Sequence, residues 1–431
     1  MVDSKFTTVQ NTENIPFTAG YRLVAVENLP QWIVRFARLG MEGYIKSFDK
    51  IRENKKIYDF ISSDDFARVG AKSVDVFPSI ETLLKYPDFD VESYTLVLIN
   101  GKYCADLSDE DDLPFSVFSD GIGLSVSDDE EFLKDKLICD ANPYVALNSA
   151  YFSSGVVIDV GDGEKLCKPI HIISITTTAG DKIFTNPRVF VRLGNNASVD
   201  LVESNLSLDD EKYFDNKVVQ LSVGKNSVLN HYKFYNVSQK SAVVENNFID
   251  VSAGSRVNEV CFVRRAGIMS VKSQFNIDER AEVKSVSSVN SMVGSDVDVD
   301  VLLCHNGDNS DSNVCLYSVV SGGAKTFFKT NVDCRPLVCG VNTSQVSRIL
   351  LADSTAVGRI KPFQTIEAEK VRAFHGAVVS GVSGEDLFFL QSRGIDEVDA
   401  KQLIYRSCLA NILQNVKDEK FYDEFLRLLW L

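Results

Sequence analysis

Four histidines and nine cysteines supply the imidazoles and thiols with which this 431-residue chain could hold a transition metal or move a proton. His375 has the least ordinary setting. In VRAFHGAVVSG, residues 371–381, it stands between Phe374 and Gly376, just before a glycine-bounded turn. A neutral imidazole ligates iron or zinc and titrates near neutrality; taken alone, it is equally a turn histidine. His171 in CKPIHIISI and His231 in LNHYKFY lie inside alternating apolar runs and read as core or surface side chains. Cys304 and His305 are adjacent in CHNGD, and neighbours on a strand face opposite sides, so they cannot both reach one metal from regular β-structure. Cys334 and Cys339 are five positions apart in CRPLVC, and no CxxC pair exists, so the thiols read as small buried hydrophobes.

A second chemistry is carried by SDVDVDV, residues 295–301, which puts Asp296, Asp298 and Asp300 on one strand face and Val297, Val299 and Val301 on the other. The carboxylates could bind calcium or a sugar, as in β-helix enzymes acting on polysaccharide; the plainer reading is a solvated face opposite a buried valine stripe. No GxGxxG, GxxxxGK[ST] or GxSxG pattern occurs, so any ATP would be handled by a partner.

The net charge of −15 repels phosphate backbones and argues against nucleic acid as a partner, favouring a basic protein surface instead. MVDSKFTTVQ has no cationic segment followed by an apolar one, and no run of about eighteen apolar residues suggests a membrane span. Scattered cysteines in odd number fit reduced thiols. A soluble, intracellular protein is expected.

Three regions must position these groups. Residues 1–140 read as mostly helical with an acidic linker, DLSDEDD at 106–112; Trp32, Ile33, Phe36, Leu39 and Tyr44 make a loose helical stripe, and SIETLLKY a second, shorter helix. Residues 141–383 switch to a period of two. Glycines at 163, 194, 224 and 254, 31, 30 and 30 residues apart, punctuate apolar alternating runs, and the phase blurs afterwards. Coils of about thirty residues that cannot bury their apolar face alone must stack. The fold class expected is therefore mainly β, a parallel right-handed β-helix with helical regions at both ends. Residues 384–431 return to helix, with Asp396 as N-cap, a stripe of Val398, Leu403, Ile404, Cys408, Ile412 and Leu413, and a second helix bearing Phe421, Phe425, Leu428 and Leu429. This hairpin either caps the solenoid's open end or docks another protein.

The late segment IEAEKVRAFHGAVVSGVSGEDLFFLQSRGIDEVDAKQLI, with its His-Gly-Ala triplet, Leu-Phe-Phe-Leu block and Ser-Arg-Gly, resembles the SufD family of iron–sulfur cluster assembly proteins. NPYVALNSAYFSSGVVIDVGDGEKLCKPIHI, residues 142–172, is similar to that family's entry into its β-helix. The resemblance implies a non-enzymatic scaffold subunit, cytoplasmic in bacteria or plastid-borne. It pairs with a SufB-like subunit, or with itself in isolation, and docks a SufC-like ABC-type ATPase. It implies that His375 lies at the subunit interface, where an iron–sulfur cluster is held transiently against a partner cysteine. It assigns ATPase docking to Leu387, Phe388, Phe389, Leu390, Arg393, Gly394, Ala400 and Leu403. The chain departs from the pattern at Ala373, where relatives carry a cysteine, and in residues 305–365, where Asp333–Cys334 replaces an Asp-His pair and one coil is expected to be missing.

Overall fold

In the computed structural model, which describes residues 15–18, 31–63, 91–109, 113–119, 138–139, 141–151, 155–178 and 182–430, the alternating runs fold as strands of a parallel β-solenoid. Short strands open it: β1 (Tyr94–Ile99), β2 (Lys102–Tyr103), β3 (Ser116–Ser119), β4 (Gly155–Val160), β5 (Ile170–Thr176), β6 (Ile183–Thr185) and β7 (Arg188–Leu193). Longer strands follow: β8 (Ser198–Ser207), β9 (Tyr213–Val223), β10 (Val228–Asn236), β11 (Ala242–Val251), β12 (Arg256–Arg265), β13 (Ile268–Ile277) and β14 (Glu282–Ser291). The last six are β15 (Asp296–His305), β16 (Asp311–Val320), β17 (Lys325–Cys334), β18 (Asn342–Leu351), β19 (Val357–Ile366) and β20 (Arg372–Gly381).

From β8 onward each strand pairs in parallel with the strand two places later, so the even-numbered strands β8–β20 lie in one sheet, extended by β5, β1 and β2, and the odd-numbered strands β7–β19 in the other, extended by β4 and β3. A strand, a corner and a returning strand make one coil. Because side chains alternate across a strand, every second residue of both sheets points into the space between them. Val283, Val297, Leu303, Val314, Phe328 and Val332 fill that space as one buried cluster. Registers stay complete through residues 305–365, where β16, β17 and β18 stack without a break. The ladder carries no gap there.

The corners explain the repeat. From β7 onward every odd-to-even corner has left-handed backbone, at Asn196, Asn226, Gly254, Arg280, Asn309, Gly340 (with Leu337 in the same corner) and Lys370. Asparagine and glycine adopt that conformation at little cost. Gly194 and Gly224 serve differently, since a Cβ at Gly224 would lie 2.5 Å from the Gly194 carbonyl oxygen in the coil below.

Helices cover the outer faces. α1 (Gln31–Ser47), α2 (Lys55–Ile61) and α3 (Pro143–Ala150) lie on the odd-numbered sheet, where Tyr44, Ile57 and Leu147 pack with Phe184, Phe214 and Val244. Gly40 lets α1 approach α3 closely, because a Cβ there would stand 2.6 Å from the Ala150 nitrogen. α4 (Gly384–Gln391), α5 (Glu397–Leu409) and α6 (Glu419–Trp430) follow β20. α5, the 3-10 turn after it and α6 cover the even-numbered sheet, with Phe421 stacked on Tyr232 at 4.1 Å and Ile412 and Phe425 against Phe262 and Val286.

The structure departs from sequence expectation in four places. β1, β2 and β3 extend the sheets within residues read as helix and linker. In α1, Leu39 points outward and Met41 inward, while SIETLLKY and the side chains of Trp32 and Ile33 lie outside the described residues. The stripe drawn through Val398 to Leu413 divides: Val398 and Leu403 are exposed, Cys408, Ile412 and Leu413 buried. Finally, the C-terminal helices do not cap the solenoid. They lie along its flank, and the last coil stays open.

Candidate functional site

β20 and β19 are the terminal strands of the two sheets, each bonded on one side only, to β18 and β17. His375 is the direct lateral partner of Gln345. That file continues down the sheet through Val314, Ser285, Glu259, His231 and Leu201, all buried in the interior. Strand geometry therefore turns His375 toward the solenoid's lumen, and it is solvent-exposed because among the described residues no further coil lies above it. Ala373, paired with Thr343, sits on the next inward file and brings no thiol to the mouth.

The mouth contains unmet hydrogen-bonding capacity. Gln345 donates to the Phe363 carbonyl at 3.2 Å, but its Oε1, Thr330 Oγ1 and Gln364 Nε2 have no partner. Buried polar atoms are normally satisfied, and among the described residues these three are not. Around them the coil is apolar: Phe374 is 59% exposed, Phe363 48%, Val378 47% and Ile366 42%. An open sheet edge with exposed apolar side chains on both faces is a pairing surface.

Deeper inside, the lumen is charged. Lys217 Nζ meets Glu203 Oε2 at 2.5 Å and Asn205 Oδ1 at 3.0 Å; His231 Nε2 lies 2.7 Å from Glu203 Oε1. Lys233 pairs with Glu245 and donates to Asn247 at 2.9 Å, and the Tyr235 hydroxyl donates to Glu245 at 2.6 Å. Ser285 donates to Glu259 Oε1 at 2.9 Å, leaving Glu259 Oε2 facing His231 Nδ1 across 3.7 Å. Burial pushes the Glu203 carboxyl up, but the Lys217 and Lys233 ammonium groups outweigh it and hold it well below the usual range. Burial raises the Cys261 thiol strongly, so this lumen cysteine is no thiolate nucleophile. Sequence reading left His231 as a core or surface side chain and missed this cluster. The signal was a charged residue at the same inward phase of successive runs, in LVESN, NKVVQ, HYKFY and VVENN.

The remaining candidates fall elsewhere. His171 Nε2 bonds Ser204 Oγ at 2.8 Å, and His305 is fully buried between Ser310 and Ser312, at 2.8 and 2.9 Å. Burial lowers His305 to about 4 and raises Cys334 to about 11. Asp296, Asp298 and Asp300 do share an outward face, yet each meets a different group: Lys56 for Asp296, Asn54 at 3.5 Å for Asp298 and Lys329 at 2.9 Å for Asp300. Among the described residues no group of three metal-ligating side chains converges.

The residues expected to dock an ATPase are grouped on the hairpin. Ser383 caps α4 by accepting from the Asp386 amide at 3.2 Å, and Asp396 caps α5 by accepting from Asp399 at 3.0 Å. Gly394 takes the left-handed turn between them, at φ 83°. Phe388 is 71% exposed and Phe389 55%. The Arg393 guanidinium stacks 3.4 Å from the Phe389 ring centroid and donates to that residue's carbonyl at 3.1 Å. Leu387 and Leu390 are half-buried and Leu403 exposed. Ala400 is fully buried, so it supports the hairpin from within and is not part of its surface.

Fold and site together define a parallel β-solenoid with helical flanks and an open final coil bearing an inward histidine. Residues 175–408 match the family model described as SUF system FeS cluster assembly, SufBD core domain. The chain belongs to that family and is of the SufD type. It is 25% identical over 364 residues to an iron–sulfur cluster assembly SufBD family protein of Synechocystis, covering 82% of this chain and 80% of the relative. To the iron–sulfur cluster assembly protein SufD of Escherichia coli it is 24% identical over 339 residues, 78% of each chain. To the chloroplastic protein ABCI7 of Arabidopsis thaliana it is 28% identical over 279 residues, 62% of this chain and 58% of the relative. No helix among the described residues is long and apolar enough to cross a membrane.

Proposed function

We propose that this chain is the non-catalytic SufD-like subunit of an iron–sulfur assembly scaffold, joined end to end to a SufB-like subunit through its last coil. One observation carries the reading: the solenoid ends in an uncovered coil whose apolar side chains face solvent and whose His375 points along the lumen axis file. A second chain adding strands beyond β19 and β20 would satisfy both edges by β-augmentation. A homodimer through the same edge is the form expected without the partner. The imidazole of His375, with a thiolate from the other chain, would hold a nascent cluster or its iron at the junction, the cluster being cargo.

The α4–α5 hairpin is the docking surface for a SufC-like ATPase, supported by the exposure of Phe388, Phe389 and Leu403. ATP hydrolysis belongs to that partner. Nucleotide that binds a closed ATPase pair better than an open one shifts the scaffold through these helices, and only by that difference in affinity. The test is reconstitution with SufB-like and SufC-like proteins, comparing native chain with His375→Ala. The expected result is an intact complex, by size-exclusion chromatography, with cluster formation lost by visible absorbance. Undiminished cluster formation would make His375 structural.

A further inference from the structure

A cleft of about 760 Å³ lies between the flank of the even-numbered sheet and the C-terminal helices. Its walls carry three guanidinium groups, Arg264 and Arg265 from the end of β12 and Arg406 from α5. Its floor is apolar, with Phe262 and Leu409. In a chain of net charge −15, three arginines lining one cleft require explanation.

The local backbone is built to place them. Tyr235 pairs with Val263, but Asn236 pairs with Arg265, so Arg264 is the extra residue of a β-bulge. A bulge re-aims a side chain that regular alternation would have sent elsewhere, and bulges are common beside binding sites. Arg265 is partly neutralised by Asp210. Arg406 stacks on Trp430 at 4.4 Å, which fixes its plane without neutralising it. Arg264 has no ion-pair or side-chain hydrogen-bond partner among the described residues, and its charged neighbour is Arg265. The one lining carboxylate, Asp353, is already occupied: it accepts from the Gly322 amide at 2.6 Å, the Thr355 amide at 2.8 Å and the Thr355 hydroxyl. The cleft is thus net cationic, half apolar and of the size that encloses a small organic ligand.

We infer that this cleft binds a small organic anion, a phosphate- or sulfonate-class head group on a flat apolar body, with Arg264 and Arg406 gripping the head and Phe262 and Leu409 lining the body. Guanidinium forks bind such oxyanions bidentately, which a lysine cannot copy. The ligand would bridge the sheet to α5.

The experiment is titration calorimetry of the full chain with adenosine 5′-monophosphate and with 8-anilinonaphthalene-1-sulfonate. Adenosine and pyrophosphate serve as the body-only and head-only controls. At least one of the two anions should bind, at least tenfold tighter than its control, and more weakly as salt rises. Arg264→Glu should weaken binding tenfold or more, and Arg264→Lys should restore it only in part, with unchanged circular dichroism in both variants. Binding indifferent to Arg264→Glu, or none of either anion at millimolar concentration to the folded native chain, overturns the proposal.

Discussion

His375 and His231 stand on the same inward file of one sheet, five strand steps apart, yet one is open to solvent and the other fully enclosed. The backbone treats them alike. What separates them is that, among the described residues, no coil lies above β20, which leaves a core position open to solvent.

That relationship sets the first prediction. Phe374→Asp with Val378→Asp puts charge on the outward face of β20, where both side chains are already largely exposed. The isolated chain should lose less than about 1 kcal/mol, since exposed positions contribute little. Association with a SufB-like partner, or self-association, should fall at least tenfold by analytical ultracentrifugation. Unchanged association would remove the end-to-end arrangement.

The hairpin is tested separately. Phe388→Glu with Phe389→Glu leaves the solenoid untouched, because both rings face solvent. Pull-down of a SufC-like ATPase should be lost while pairing through the last coil persists. Loss of both would mean that the two surfaces are not independent.

The lumen cluster predicts a non-additive pattern. Lys233→Met alone strands the buried Glu245 carboxylate and should cost about 3–5 kcal/mol in urea denaturation. Lys233→Met with Glu245→Leu should recover most of that loss, since replacing a whole buried pair with apolar groups is often neutral. A double variant as damaged as the sum of its parts would refute the pairing.

Stability should respond to acid through two opposing groups. His305 is lowered to about 4 by burial against an ordinary 6.5, so the unfolded chain binds the extra proton and stability falls as pH drops from about 6.5 to 4. Asp215 is raised to about 6 by burial against 3.8, so the folded chain binds the proton and stability is gained over nearly the same window. The two act in opposite directions over this window. Asp215→Asn removes the second, and its unfolding free energy should fall more steeply between pH 6.5 and 4 than that of the native chain. Parallel curves would deny Asp215 its proton.

The solenoid was legible because inward alternation and a thirty-residue spacing are properties of the chain itself. The phase blurred after Gly254 because the glycines counted were of two kinds. Gly163 and Gly254 hold left-handed backbone, whereas Gly194 and Gly224 make room for the coil below. In later coils the left-handed position passes to Arg280, Asn309 and Lys370, so a count of glycines loses it. His375 was found by its motif, but its orientation needed strand register, which depends on residues thirty positions away. The arginine cleft was not legible, since Arg264 and Arg265 lie about 140 residues from Arg406 and meet only when α5 returns to the sheet.

Stacked coils of nearly equal length carry a hazard that an ordinary sheet does not: one coil could settle on the wrong neighbour and still bury its valines. The charges in the lumen act against that error. Lys217, between Glu203 and Asn205, and Lys233, between Glu245 and Asn247, fit the levels they occupy and would be stranded one level away. The apolar files make the chain coil; the buried ions give each coil an address.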